Sequence, residues 1–174
     1  GLRPRLSDGW GGSMVATELS DVMFGTPQPV ASRVNLGALK ADYVNIALHG
    51  HNPLLSYVIM QAAEDEELVA RARELGAKGI NLVGLCCTGN ELQMRKGLPM
   101  AGNHLMQELV LLTGALDAMV VDYQCIMPSV TDVAKCFHTE VISTADKAKF
   151  TGATHISFDP RRGYEIGKEI VSHG

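Results

Sequence analysis

From residue 44 onward the chain alternates between short, almost continuous apolar runs and longer stretches with apolar residues at helical spacing. The runs are "VNIAL" (44–48), "INLVGL" (80–85), "AMVVDY" (118–123), "EVIST" (140–144) and "THISF" (154–158). Runs of this length, rich in β-branched residues, predict strands buried on both faces of a sheet. Between them, "PLLSYVIMQAAEDEELVARAREL" (53–75) predicts one helix that stops at Gly76. "HLMQELVLLT" (104–113) predicts another that stops at Gly114, a short helix is expected around 129–136, and "PRRGYEIGKEIVSH" (160–173) closes the chain. Strands alternating with helices predict an α/β fold: a Rossmann-like parallel sheet with flanking helices.

Residues 1–43 break this rhythm. They are rich in Gly, Pro and Ser, with one short helix expected in "SMVATELSDVMFG". They read as the tail of a preceding helical domain and a linker, leading into an α/β domain over 44–174. The chain does not begin with Met, so it is expected to be a piece of a longer polypeptide. Its first residues lack the apolar core of a secretory signal.

Composition narrows the function classes. A length of 174 residues suits one domain with an appendage. The formal net charge is −4 and no basic patch stands out, which argues against nucleic acid as a partner. No stretch is long and apolar enough to predict a membrane span. The acidic run "EDEE" (64–67) reads as a solvated helix face. Four cysteines, two of them adjacent, fit a reduced, cytoplasmic setting better than a disulfide framework. Neither a G-x-G-x-x-G turn nor a Walker lysine loop is present, so the usual nucleotide fingerprints are absent.

Open parallel sheets bind ligands beyond the carboxyl ends of their strands. Three successive strand ends carry soft metal donors. "VNIAL" runs into "HGHNP" with His49 and His51, "INLVGL" into "CCTGNE" with Cys86 and Cys87, and "AMVVDY" into "QCIMP" with Cys125. Each group also precedes an expected helix start. Asn52-Pro53 reads as an N-cap followed by Pro at the first helical position, Thr88-x-x-Glu91 as a capping box, and Pro128-Ser129 as a third opening. Helix N-termini present free N–H groups and a positive dipole end, which favour thiolates. Thiolates hold soft metals and iron–sulfur clusters.

Each signal has an ordinary alternative. His49 alone reads as a structural histidine, and Cys136, inside an expected helix, as a small buried hydrophobe. His104 and His138 read as helix-entry or loop residues. One histidine and two or three cysteines are too few for a cubane shell, which takes four thiolates. They could close a four-ligand zinc site, or the missing ligands lie elsewhere. The conjunction on one rim is what points to a metal, and it does not separate Cys86 from Cys87.

These same motifs carry a family resemblance. "GWGGSMVATELSDVMFGTPQP", "VNIALHGHNPLLS", "GINLVGLCCTGNELQMRKGLPMAGN" and "AMVVDYQCIMPS" resemble the catalytic subunit of anaerobic nickel–iron–sulfur carbon monoxide dehydrogenases. Hybrid-cluster (prismane) proteins share the fold but look less similar at the adjacent cysteines. The resemblance implies oxidation of CO with water to CO2, two protons and two electrons at a nickel–iron–sulfur C-cluster. It implies that His51 and Cys87 hold a pendant iron and that Cys125 binds an iron of the cubane part. Cys86 and His49 would lie near the cluster, and catalytic residues stay unassigned. Three further cluster cysteines, expected from a later domain, are absent, as are the cysteines of the additional 4Fe-4S clusters. The chain is therefore expected to be a middle domain, inactive alone. The implied partners are the remaining domains, a second copy in a homodimer and a ferredoxin-type electron acceptor. Acetyl-CoA synthase is a further partner the family admits. A hybrid-cluster reductase domain and a non-catalytic Rossmann-like module with an empty or zinc-filled site are the competing readings.

Overall fold

The computed structural model describes residues 2–174. Gly1, the start of the expected lead-in, lies outside the described residues. The body is a parallel sheet of six strands: β1 (Val44–His49), β2 (Ile80–Leu85), β3 (Met100–Gly102), β4 (Ala118–Val121), β5 (Glu140–Ser143) and β6 (Thr154–His155). Their order across the sheet is β3-β2-β1-β4-β5-β6, and every neighbouring pair is parallel. The expected Rossmann-like α/β architecture is what the chain adopts. The order reverses between β1 and β4, the position where open α/β sheets open a crevice.

The core explains why these runs are strands. On β1, Ile46 and Leu48 point to one face and Ala47 to the other, and all three are buried. The first face packs on α2 (Pro53–Ala63) and α7 (Gly163–His173) through Leu55, Ile59 and Ile170. The second packs on α5 (Gln107–Leu112) and α6 (Val130–Ala134) through Val110, Leu111 and Val130. With both faces covered, an apolar residue is favoured at every position and alternation disappears.

Several boundaries differ from expectation. The stretch 53–75 forms two helices, α2 and α3 (Glu66–Glu74). Asp65 separates them because its carboxylate caps α3, accepting N–H bonds from Glu67 and Leu68 at 3.1 and 3.4 Å. The "EDEE" run is thus a helix start as well as an exposed face, with acids at the positive end of the dipole. Strand β3 was not expected. It has three residues, none β-branched, and lies on the edge beside β2. The lead-in helix is longer than expected: α1 spans Leu2–Phe24. Among the described residues no helix is long and apolar enough to cross a membrane.

The helix α4 (Cys86–Lys96) sits very close to the strand that feeds it. A Cβ on Gly89 would come within 2.7 Å of the Gly84 Cα, and one on Gly84 within 2.6 Å of the Gly89 Cα. Two glycines therefore set the angle at which Cys86 and Cys87 leave β2. Gly89→Ala should push α4 off the sheet and cost roughly 1–3 kcal/mol of stability, read as a lower urea midpoint at unchanged slope. A second prediction concerns Asp65, which accepts a hydrogen bond from Tyr164 and pairs with Lys168 of α7 at 2.9 Å. The Lys168 ammonium holds its carboxyl below the ordinary carboxylate range. That contribution is complete above the ordinary value of about 4 and fades as pH falls through the lowered one. Asp65→Asn should therefore melt lower than the parent at pH 7, with the gap closing in acid.

Candidate metal centre

The donors from three neighbouring strand ends meet at the crevice between β1 and β4. His51 follows β1, Cys86 and Cys87 open α4 after β2, and Cys125 lies in the turn after β4. The His51 Nε2 lies 3.6 Å from the Cys125 Sγ. The Cys86 and Cys87 sulfurs are 3.9 Å apart, and the Cys86 and Cys125 thiols are near enough to affect each other's ionisation. The four side chains form an open row. Among the described residues, no group of three or more His, Cys, Asp and Glu side chains is arranged to hold a metal ion unaided. Beside the row is an open recess of about 360 Å³, lined in part by His51, Cys87, Glu91, Arg95 and Tyr123.

The backbone around these donors is strained. Among the described residues, three non-glycine positions have φ in the left-handed region: Cys86 (60°), Gln124 (60°) and Cys125 (54°). All three are in the thiol-bearing turns. Such conformations cost of order 1–3 kcal/mol each and persist only where surrounding contacts enforce them.

The imidazole of His51 is set up as a ligand. Its Nδ1 is 3.2 Å from the Tyr123 carbonyl, which can only accept, so the proton sits on Nδ1 and the Nε2 lone pair faces the Cys125 thiol. This is the outer-shell arrangement usual for metal-bound histidine, and Tyr123 supplies the partner that the sequence could not name. The loop itself is held by Asp122, a buried carboxylate at the end of β4. It accepts the backbone N–H of His51 at 2.7 and 2.8 Å and those of Asn52 and Tyr123. Gly50 between the two histidines is required by this contact. Its φ is +129°, and a Cβ there would lie 1.8 Å from the Asp122 Oδ1. Burial pushes the Asp122 carboxyl up, while the N–H donors pull it down.

His49 lies below the rim. It is buried, and its Nε2 is 3.0 Å from the Cys125 carbonyl, to which it donates. Its Nδ1 has no partner. Burial lowers its pKa and keeps the ring neutral. Its place beneath the donor row fits the structural reading.

Three expectations are corrected. Thr88 is not a cap: α4 begins at Cys86, and Leu85 at the N-cap makes no side-chain bond. Thr88 instead ties α4 inward, its hydroxyl bonding the Ser56 Oγ at 2.8 Å and its N–H the Gly50 carbonyl at 2.8 Å. Glu91 turns to Arg95, whose buried guanidinium also pairs with Asp21 of α1 at 2.8 Å. Second, the helix start does not lower the Cys86 thiol. Burial dominates and pushes it up, as it does for Cys125. Third, Cys136 is exposed. It follows α6 on the solvent side, so it is not the buried hydrophobe its helical position suggested. By contrast, Asn52 caps α2 with Pro53 at the first position, and Ser129 precedes α6, both as expected.

A family model described as Prismane/CO dehydrogenase matches residues 1–174. The chain belongs to the Prismane/CO dehydrogenase family. Carbon monoxide dehydrogenase 1 of Methanosarcina mazei, a relative, is 57% identical over 171 residues, 98% of this chain and 27% of that protein. The carbon monoxide dehydrogenase/acetyl-CoA synthase subunit beta of Moorella thermoacetica is 53% identical over 170 residues, 98% of this chain and 25% of that protein. The solved nickel-free carbon monoxide dehydrogenase of Thermococcus sp. AM4 superposes with a TM-score of 0.92 at 57% identity, over 97% of this chain and 27% of that one. The chain spans about a quarter of the length of the curated relatives it matches.

A nickel–iron–sulfur cluster fits the residues present. Three thiols are soft donors and the imidazole nitrogen a borderline one that suits iron and nickel, and their open row suits a group completed from another side better than a closed tetrahedral ion site. Sequence reasoning missed Asp122 and Gln107, a buried glutamine whose amide lies 2.6 Å from the Cys125 carbonyl. An acid closing an apolar strand was a legible signal for the first. Asp122→Ala should leave buried N–H groups without an acceptor and cost about 2–4 kcal/mol, read by chemical unfolding of the metal-free chain.

Proposed function

We propose that this chain is the middle domain of an anaerobic carbon monoxide dehydrogenase, with residues 1–43 the tail of a preceding helical domain. In this reading His51, Cys87 and Cys125 are ligands of a nickel–iron–sulfur C-cluster, Cys86 and His49 stand beside it, and the parent carries further 4Fe-4S clusters. The observation that carries it is the left-handed backbone at Cys86, Gln124 and Cys125: among the described residues, the non-glycine positions with this conformation all lie in the two thiol turns beside His51. The names of the 51–57% identical relatives favour the carbon monoxide branch of the family over the hybrid-cluster branch.

When bound, such a cluster supplies an electron sink and a Lewis-acidic metal for the reaction of CO with water. The chain's own residues do simpler work. Tyr123 fixes the tautomer of His51 through its carbonyl, and Asp122 fixes the backbone of His51. The Gly84–Gly89 contact sets the angle of the Cys86–Cys87 turn. A homodimer, a ferredoxin-type electron acceptor and a cytoplasmic setting belong to this reading. The acetyl-CoA synthase named with the Moorella relative makes that enzyme a candidate partner.

In the full-length polypeptide, produced anaerobically with nickel and iron, His51→Ala, Cys87→Ala and Cys125→Ala should each lose CO oxidation and bound nickel, while Cys136→Ala keeps both. The 174-residue chain alone should oxidise no CO, as measured with a viologen dye. Full nickel content and activity in the Cys87 and Cys125 variants would sink the ligand assignment.

A further inference from the structure

The turn that carries Cys125 needs an explanation of its own. Two consecutive non-glycine residues, Gln124 and Cys125, are left-handed, and nothing in their side chains favours that conformation. The constraint comes from outside the turn. Gln107, the first residue of α5, is fully buried. Its Nε2 donates to the Cys125 carbonyl at 2.6 Å and to the His104 carbonyl at 2.8 Å. Its Oε1 accepts the Met127 N–H at 3.0 Å. One carboxamide thus grips the turn on both sides of Ile126, binding the carbonyl of one residue and the N–H two further on.

The Cys125 carbonyl is also approached by the His49 Nε2 at 3.0 Å and the His104 Nδ1 at 2.9 Å. The His104 Nδ1 is equally near the Gln107 Nε2, at 2.9 Å. His104 is partly exposed, and its ring can turn away. Gln107 cannot, because both ends of its amide are engaged. A fully buried glutamine at a position where its helix neighbours Val110 and Leu111 are apolar also needs a reason. Leucine would fill the same volume without desolvating an amide.

We propose that Gln107 is the positioning residue for Cys125: its amide holds the left-handed turn so that the thiol faces His51 across the donor row. This rests on the reading of Cys125 as a cluster ligand, and it assigns Gln107 a role distinct from folding α5. Losing the amide lets the turn relax toward right-handed backbone and swings the Cys125 Cβ off the row.

The test uses the full-length polypeptide, produced anaerobically with nickel and iron supplied. Gln107→Leu removes both bonds at similar volume. Gln107→Met removes both bonds with a flexible apolar chain of similar length, and it carries the test should Gln107→Leu fail to fold. Val110→Ala, a buried apolar change on the same helix, reports what loss of stability alone does. Nickel per chain, retention of nickel against a chelator, the electron paramagnetic resonance spectrum and the melting temperature are read for each. The expected result is a ~10- to 100-fold faster loss of nickel from the Gln107 variants with an altered spectrum, while Val110→Ala melts lower yet keeps the parent spectrum and nickel. Parent-like nickel retention and spectrum in folded Gln107→Leu or Gln107→Met, with Cys125→Ala losing both, would overturn the proposal. If Cys125→Ala also keeps nickel and spectrum, the ligand reading itself fails and takes the proposal with it.

Discussion

One buried carboxylate organises the rim of this sheet. Asp122 ends β4, and its oxygens are filled by backbone N–H groups of the turn that ends β1. The crevice of a doubly wound sheet opens where neighbouring strands send their connections to opposite faces, so beyond the last ladder pair, His49 and Val121, the two chains diverge. Asp122 ties the two turns together just past that point. It also dictates the glycine between the two histidines, since any side chain there would occupy the carboxylate's place. The orientation of His51 follows, and with it the direction of its Nε2.

The other two donor turns are built on the same plan, with the chemistry on the side chain and the placement done through the main chain. Cys86 and Cys87 leave β2 at an angle set by two glycines in contact. Cys125 is gripped by its own carbonyl, which meets His49, His104 and Gln107. In each case the placement acts on the backbone: buried polar groups bind it at His51 and Cys125, and a glycine–glycine contact sets it at Cys86 and Cys87.

The sheet was legible because its strands are buried on both faces, which writes each as a plain apolar run with a turn residue beyond it. Position along the rim followed from the rule that loops at carboxyl ends carry ligands, and His51, Cys86, Cys87 and Cys125 do meet there. What was not legible depends on single contacts. Asp65 splits a continuous helical pattern because a side chain captures two N–H groups, and the pattern of apolar residues does not register that. Edge strand β3 is too short to have a pattern. Thr88 matched a capping signature, but α4 already starts at Cys86, with Leu85 at its N-cap. Gln107 stands on the apolar face of its helix and carried no signal in the sequence, since its partners come from a turn eighteen residues away.

The left-handed residues have a consequence for engineering. At 86, 124 and 125 the backbone alone would favour glycine, and a glycine at any of them would relieve strain. A redesign of this domain that optimised fold stability by itself would therefore write glycine into those turns. It would return a sturdier sheet with two of its thiols erased.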